Sequence, residues 1–148
     1  MSFAVTPSPF SVQLLPWETL IEPQALWDNS KLCSCGGDRQ IFYWDVATGR
    51  VIRKFRGHNG EINGVKFNEY SSVIVSAGYD QSLRAWDCRS HSTEPIQIID
   101  TFGDSVMSVR LTKIEIIGGN VDGTVRTFDI RIGSHTNWIA ASPTRMLM

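Results

Sequence analysis

Six aspartates stand in three pairs, Asp38 with Asp45, Asp80 with Asp87 and Asp122 with Asp129. Two carboxylates at a fixed separation could divide general acid and general base work between them. Other residues also carry chemical types. The segment "GGNVDG" (118–123) offers a glycine-rich turn with an acid, and Cys33 and Cys35 are alternate thiols. His91 and His135 are two of three imidazoles. Thr6-Pro7, Ser8-Pro9 and Ser142-Pro143 have the form that a proline-directed kinase accepts.

The spacing decides how these are read. Asp38, Asp80 and Asp122 are forty-two residues apart, as are Asp45, Asp87 and Asp129. Ile41, Leu83 and Val125 share the same grid, and so do Trp44, Trp86 and Phe128. A reaction needs its acid once, whereas a residue that recurs at a fixed period belongs to a repeating structure. The aspartates are therefore expected in turns and at strand ends. "GGNVDG" lacks a following helix and the remainder of a calcium loop, and Asp122-Gly123 suits a hairpin turn. Cys33 and Cys35 have no His or Cys set to complete a metal site, so small buried side chains on a strand explain them. No cofactor is expected.

Between the grid positions the texture is that of strands. "VIRKF" (51–55), "INGVKF" (62–67), "VIVSAG" (73–78) and "SLRAW" (82–86) alternate with "ATG" (47–49) and "HNG" (58–60). The next unit supplies "IQIID" (96–100), "MSVRL" (107–111), "IEIIGG" (114–119) and "TVRTF" (124–128). In "VKF" and "VRL" one charge separates two apolar residues, the period-two pattern of a strand. Four short strands per repeat cannot bury both faces of their own sheet, but stacked sheets bury each other. The expected fold is all-β: a partial propeller of about two to three blades.

Residues 28–133 carry this pattern, flanked by a divergent N-terminal segment (1–27) and a divergent C-terminal tail (134–148). Pro16 and Pro23 oppose a regular strand at the start, and "NWIAA" (137–141) is the one strand-like stretch of the tail. Of 148 residues, 42% are hydrophobic and 20% charged, as in a globular chain. A net charge of −1 gives no basic footprint for nucleic acid, and no apolar run is long enough to span a membrane as a helix. The N-terminus lacks the basic start of a secretory leader, and three cysteines suit reduced, buried thiols. Cytoplasm and nucleus are the expected compartments.

The run from Gly57-His58 to Trp86-Asp87, with Asp80 six residues before the tryptophan, resembles the WD-repeat family. That resemblance implies a hydrogen-bonded tetrad of His58, Ser76, Asp80 and Trp86. Asp80 would accept turn N–H groups and a proton of His58, and the imidazole would reach Ser76, whose hydroxyl takes the Trp86 indole N–H. The first repeat keeps Ser34, Asp38 and Trp44 but has Pro16 in the histidine's place; the third has Gly118, Asp122 and Phe128, with Asp100 in the histidine's place.

Several further expectations follow from the resemblance. The family's scaffolds hold other proteins, and the runs 28–69, 86–90 and 121–133 are similar to members acting in kinase-cascade signalling and in pre-mRNA splicing complexes. Arg39, Glu61, Asn63, Tyr79 and Gln81, near the turns at one end of the sheets, are the candidate partner contacts. "WDCR" (86–89) and "FDIR" (128–131) both end in Arg at the same position of the repeat, and in the family the pattern W-D-x-R marks receptors that dock onto the adaptor of cullin–RING ubiquitin ligases. Asp87, Arg89, Asp129 and Arg131 would make that contact. Since closed propellers typically hold four to eight blades, the chain is expected to be a shortened form of such a scaffold, prone to self-association through exposed blade faces.

Overall fold

A computed structural model describes residues 30–68 and 72–129, together with the strand positions Gln24–Ala25, Ile139–Ala140 and Thr144–Arg145. Pro16, Pro23, Arg131, His135 and the three proline-directed dipeptides lie outside the described residues. Among those described, every regular element is a strand, and no helix is long and apolar enough to cross a membrane.

The strands form three antiparallel sheets. The first holds β1 (Gln24–Ala25), β2 (Lys31–Cys35), β3 (Gln40–Asp45) and β4 (Arg50–Arg56) in chain order. The second runs β5 (Ile62–Phe67), β6 (Val73–Gly78), β7 (Leu83–Asp87) and β8 (Gln97–Ile99). The third runs β9 (Val106–Leu111), β10 (Glu115–Asn120) and β11 (Thr124–Asp129). Two short strands, β12 (Ile139–Ala140) and β13 (Thr144–Arg145), both pair with β11. Thus β1 lies within the N-terminal segment and takes the first-strand place, while β12, inside "NWIAA", and β13 take the fourth place of the last sheet.

Pairing follows the sequence grid. Ser34 faces Phe42, Ser76 faces Arg84 and Gly118 faces Arg126, each pair forty-two residues beyond the last. Lys31–Asp45, Val73–Asp87 and Glu115–Asp129 repeat in the same way. Such agreement is what a period-two side-chain pattern enforces: a slip of one residue would turn every buried side chain to the opposite face.

The second sheet is buried on both faces. Ile74 and Trp86 point to the first sheet and join Cys33, Cys35, Ile41, Tyr43 and Phe55 in one core. Val75, Ala77, Leu83 and Ala85, one residue out of step, point to the third sheet and join Val106, Ile116 and Phe128. Phe55 and Trp86 meet with ring centroids 5.6 Å apart, and Phe102 meets Phe128 at 5.7 Å. Removing such a side chain from water is worth about 1.5–3 kcal/mol. The stacking, more than strand propensity, holds the sheets in place.

Candidate functional site

Four elements converge on His58. The residue follows β4, Ser76 lies in β6, Asp80 in the turn after it, and Trp86 in β7. His58 Nδ1 lies 3.0 Å from each oxygen of the Asp80 carboxylate. A carboxylate only accepts, so Nδ1 carries the proton and Nε2 is left as an acceptor. Ser76 Oγ, 2.6 Å from Nε2, donates its proton there and accepts the Trp86 indole N–H at 2.9 Å. The arrangement joins the loop after β4 to β6, the following turn and β7 in one series of bonds.

Two further side chains join the network, and the sequence reasoning missed both. Ser82 Oγ donates to Asp80 Oδ1 at 2.7 Å, and Arg84 pairs with Asp80 Oδ2 at 3.2 Å while its Nε donates to Ser82 Oγ at 3.1 Å. The Asn59 backbone N–H adds a fourth donor to Asp80 at 2.8 Å. The available signal was spacing: residues two and four beyond an aspartate, on a strand leaving its turn, share that aspartate's face.

Electrostatics match the hydrogen bonds. Burial pulls the His58 imidazole below its usual value, against the opposing pull of Asp80, so the ring is held neutral. For Asp80, burial pushes the carboxyl upward, but the bonds from His58, Ser82 and the Asn59 N–H together outweigh it and hold the group well below the ordinary carboxylate range.

Serine, histidine and aspartate in series have the connectivity of a nucleophilic triad. Here Ser76 is fully buried, and its oxygen is already occupied by the indole of Trp86, itself fully buried. No substrate carbonyl can approach that oxygen. What the arrangement can do is satisfy buried polar groups and tie strands together.

The neighbouring repeats show what can be lost. In the first, Trp44 Nε1 still donates to Ser34 Oγ at 3.1 Å. In the third, the polar series is replaced by aromatic packing. A Cβ on Gly118 would come within 2.8 Å of Phe102, which also contacts Phe128. Phe102 thus fills the place expected for Asp100, which is exposed. The correction has a simple cause: β9 stands forty-four residues beyond β5, two more than the grid, and this offset already applies before that strand, so the counterpart of His58 lies forty-four residues on.

The turns repeat as well. Asp38 Oδ1 accepts the N–H of Gln40, and Asp122 Oδ1 that of Thr124. The intervening residues Arg39, Gln81 and Gly123 all have positive φ, 62°, 65° and 80°. Arg39, Gln81 and Glu61 are exposed, and Tyr79 is 63% exposed. The Tyr79 N–H donates to the Glu61 carbonyl at 2.8 Å, and Ser105 Oγ donates to the Tyr79 carbonyl at 3.1 Å. Asn63 is engaged differently: its amide donates to the Val106 carbonyl at 2.9 Å and bridges β5 to β9.

At the opposite end of β7, Asp87 Oδ1 accepts the Arg89 backbone N–H at 2.8 Å, and the Arg89 side chain is exposed. Asp129 is half-buried at the end of β11. Burial pushes the Cys88 thiol up to about 12, which leaves it unreactive. Cys33 and Cys35 lie in the core between the first two sheets. Among the described residues no group of His, Cys, Asp and Glu could hold a metal ion.

Comparison with known proteins agrees with this architecture. Residues 49–87 match the family described as WD domain, G-beta repeat. The chain is 32% identical over 136 residues to the WD repeat domain-containing protein 83 homolog of Dictyostelium discoideum, covering 72% of this chain and 42% of that protein. It is 48% identical over 56 residues to WD repeat domain-containing protein 83 of Rattus norvegicus, 38% of this chain and 18% of that protein. It is 30% identical over 125 residues to a guanine nucleotide-binding protein subunit beta of Zea mays, 79% of this chain and 33% of that protein. The chain therefore carries a WD40 repeat, has WD-repeat relatives, and spans less than half the length of each of these three.

Proposed function

We propose that this chain is a non-enzymatic scaffold that holds other proteins against the turn end of a stack of WD-repeat blades. The observation that carries this reading is Tyr79. It is a large aromatic, 63% exposed, on a turn whose backbone is bonded on both sides. An aromatic anchor on a rigid support loses little conformational entropy on binding. The Glu61 carbonyl accepts the Tyr79 N–H, and Arg39, Glu61 and Gln81 are exposed as well, with both charges and an amide.

The finer role rests on resemblance. Residues 28–69, with 86–90 and 121–133, resemble the mitogen-activated protein kinase organizer, which points to kinase-cascade signalling or pre-mRNA splicing complexes in cytoplasm and nucleus. In this reading the partners are proteins, with no cofactor and no direct contact to nucleic acid or membrane. A second reading, substrate receptor of a cullin–RING ligase, draws on the exposed Arg89 beside Asp87, with Asp129 and Arg131 as the repeated pair.

Affinity capture from native extract, with the wild type beside Tyr79→Ala and an Arg89→Ala/Arg131→Ala double variant, separates these. Kinase-cascade members or splicing factors lost with Tyr79→Ala support the scaffold. A ligase adaptor lost only with the double arginine variant replaces it by the receptor. Retention of every partner by Tyr79→Ala removes the turn end from the reading.

A further inference from the structure

Strand β4 carries the sharpest charge contrast in the chain. Its sequence, RVIRKFR, holds Arg50, Arg53, Lys54 and Arg56 and no acid. Four of the chain's fourteen basic residues therefore lie in one seven-residue strand, and the other ten face fifteen acids. Among the described residues the strand is also the outer edge of its sheet, paired to β3 alone, with one further backbone bond from the Arg56 N–H to the Thr93 carbonyl at 3.4 Å.

The burial pattern sorts the side chains. Exposure alternates along β4, so that Arg50, Ile52, Lys54 and Arg56 face outward while Phe55 is buried. Arg53, on the inner side, is engaged by the Asp87 and Cys88 carbonyls, each at 3.3 Å. Ile52 has no partner across β3, because the register shifts there, and it is 43% exposed. The nearest acid in the ladder, Asp45, does not neutralise the stripe: Lys31 holds it at 2.8 Å, with Thr48 on its other oxygen. What remains is an apolar side chain flanked by cations at the spacing of alternate strand residues, about 7 Å.

From this we propose that the outer face of β4 is a second docking surface, and that its occupant is an acidic, extended protein segment carrying an apolar residue between its carboxylates. The inference rests on the scaffold reading and supplies the second contact a scaffold needs. A second copy of this chain does not fit, because two β4 stripes would repel each other; basic residues and a bulge are the usual protection of an edge strand against its own kind. That protection leaves an acidic strand admitted. RNA fits less well, because the centre of the stripe is Ile52, and Phe42, the aromatic ring beneath Lys54, is buried with no face open for base stacking.

The test is fluorescence anisotropy on the full chain, using a labelled synthetic peptide with glutamates on both sides of a central isoleucine. The controls are the same peptide with lysines for glutamates and a labelled uridine oligonucleotide. The expected result is saturable binding of the acidic peptide alone, weakened about tenfold by Arg50→Glu/Lys54→Glu and severalfold by the milder Arg50→Gln/Lys54→Gln. Binding should also fall as ionic strength rises above about 0.15 M, where the screening length drops below about 8 Å. Absent binding, equal binding of the lysine peptide, tighter binding of the oligonucleotide, or charge-reversed variants that bind unchanged would each overturn the proposal. Tyr79→Ala should leave peptide affinity intact. Loss of the peptide result while Tyr79-dependent partners are still captured would therefore count against this surface alone.

Discussion

The indole N–H of Trp86 ends on Ser76 Oγ at 2.9 Å, and the same bond recurs forty-two residues earlier between Trp44 and Ser34 at 3.1 Å. The two serines carry different loads, because Ser76 also donates to His58 Nε2, whereas the sequence has Pro16, and no histidine, forty-two residues before His58. Ser76→Ala strands two buried groups and should cost about 2–4 kcal/mol, whereas Ser34→Ala strands one and should cost about 1–2 kcal/mol. Asp80→Asn, which weakens the bonds to His58 and Arg84, should cost about 1–3 kcal/mol. Urea unfolding of the three variants checks the order. Equal losses for both serines would remove His58 from the network, and a fully stable Asp80→Asn would deny the aspartate its structural role.

Acid should unfold the protein in two stages. His58 has its folded-state value below the ordinary 6.5, so below that pH the unfolded chain binds the proton that the folded chain refuses. Its contribution is complete above pH 6.5 and is lost as pH falls toward the folded value. Asp80 is likewise depressed from 3.8, so its stabilisation is present above that pH and disappears as pH falls through its lower folded-state value. Chemical denaturation between pH 8 and pH 3 should show stability declining first from about 6.5 and again below about 4. In a folded His58→Asn variant the first decline should flatten. If the slope is unchanged in that variant, another group is responsible.

Gly78 stands where no side chain fits. A Cβ there would press inside van der Waals contact with both Asp80 Oδ1 and His58 Nδ1, the two atoms whose hydrogen bond anchors the network. Gly78→Ala must either separate them or shift the end of β6. A loss of about 1–3 kcal/mol is expected, together with a changed proton exchange rate at the His58 ring in NMR. A variant of wild-type stability would show that the loop after β4 can yield.

Much of this was legible in the sequence, for a physical reason. The grid of Asp38, Asp80 and Asp122 with Trp44, Trp86 and Phe128 reflects ladder register, and register repeats wherever sheets stack on identical neighbours. Phe102 was harder to see, because the offset of two residues that begins before β9 is cancelled in the loop before β10, and the grid from β10 onward carries no trace of it. Ser82 and Arg84 escaped notice because their partner is the turn aspartate and not another repeat. Asn63 reads as a surface amide in sequence; only the approach of β9 shows its Nδ2 held by the Val106 carbonyl.

The positive φ of Arg39 and Gln81 could not be inferred from residues that carry a Cβ. Gly123 occupies the equivalent position without that cost. A left-handed conformation costs an L-residue about 1–2 kcal/mol, part of which glycine returns as entropy lost on folding. Gln81→Gly should therefore stabilise the protein by up to about 1 kcal/mol, and Gly123→Ala should destabilise it by a similar amount. Melting curves decide this. A destabilised Gln81→Gly variant would mean that the amide makes contacts worth more than the strain.

The last expectation concerns the third sheet. Cys33, Cys35, Ile41 and Tyr43 are buried by the second sheet, and Val75, Ala77, Leu83 and Ala85 by the third. Their counterparts forty-two residues on are Ile117, Gly119, Val125 and Thr127, and among the described residues these are only half-buried. A hollow of about 500 Å³ opens beside Gly119 and Val125. Positions that bury side chains in two sheets should attract a covering surface in the third, and unpaired apolar faces associate. The purified chain should therefore self-associate with increasing concentration in light scattering, and Val125→Glu should shift it toward the 16.6 kDa monomer. Hydrogen exchange should then show weaker protection in β11 than in β7. A concentration-independent monomer in which both strands are equally protected would mean that this face needs no partner.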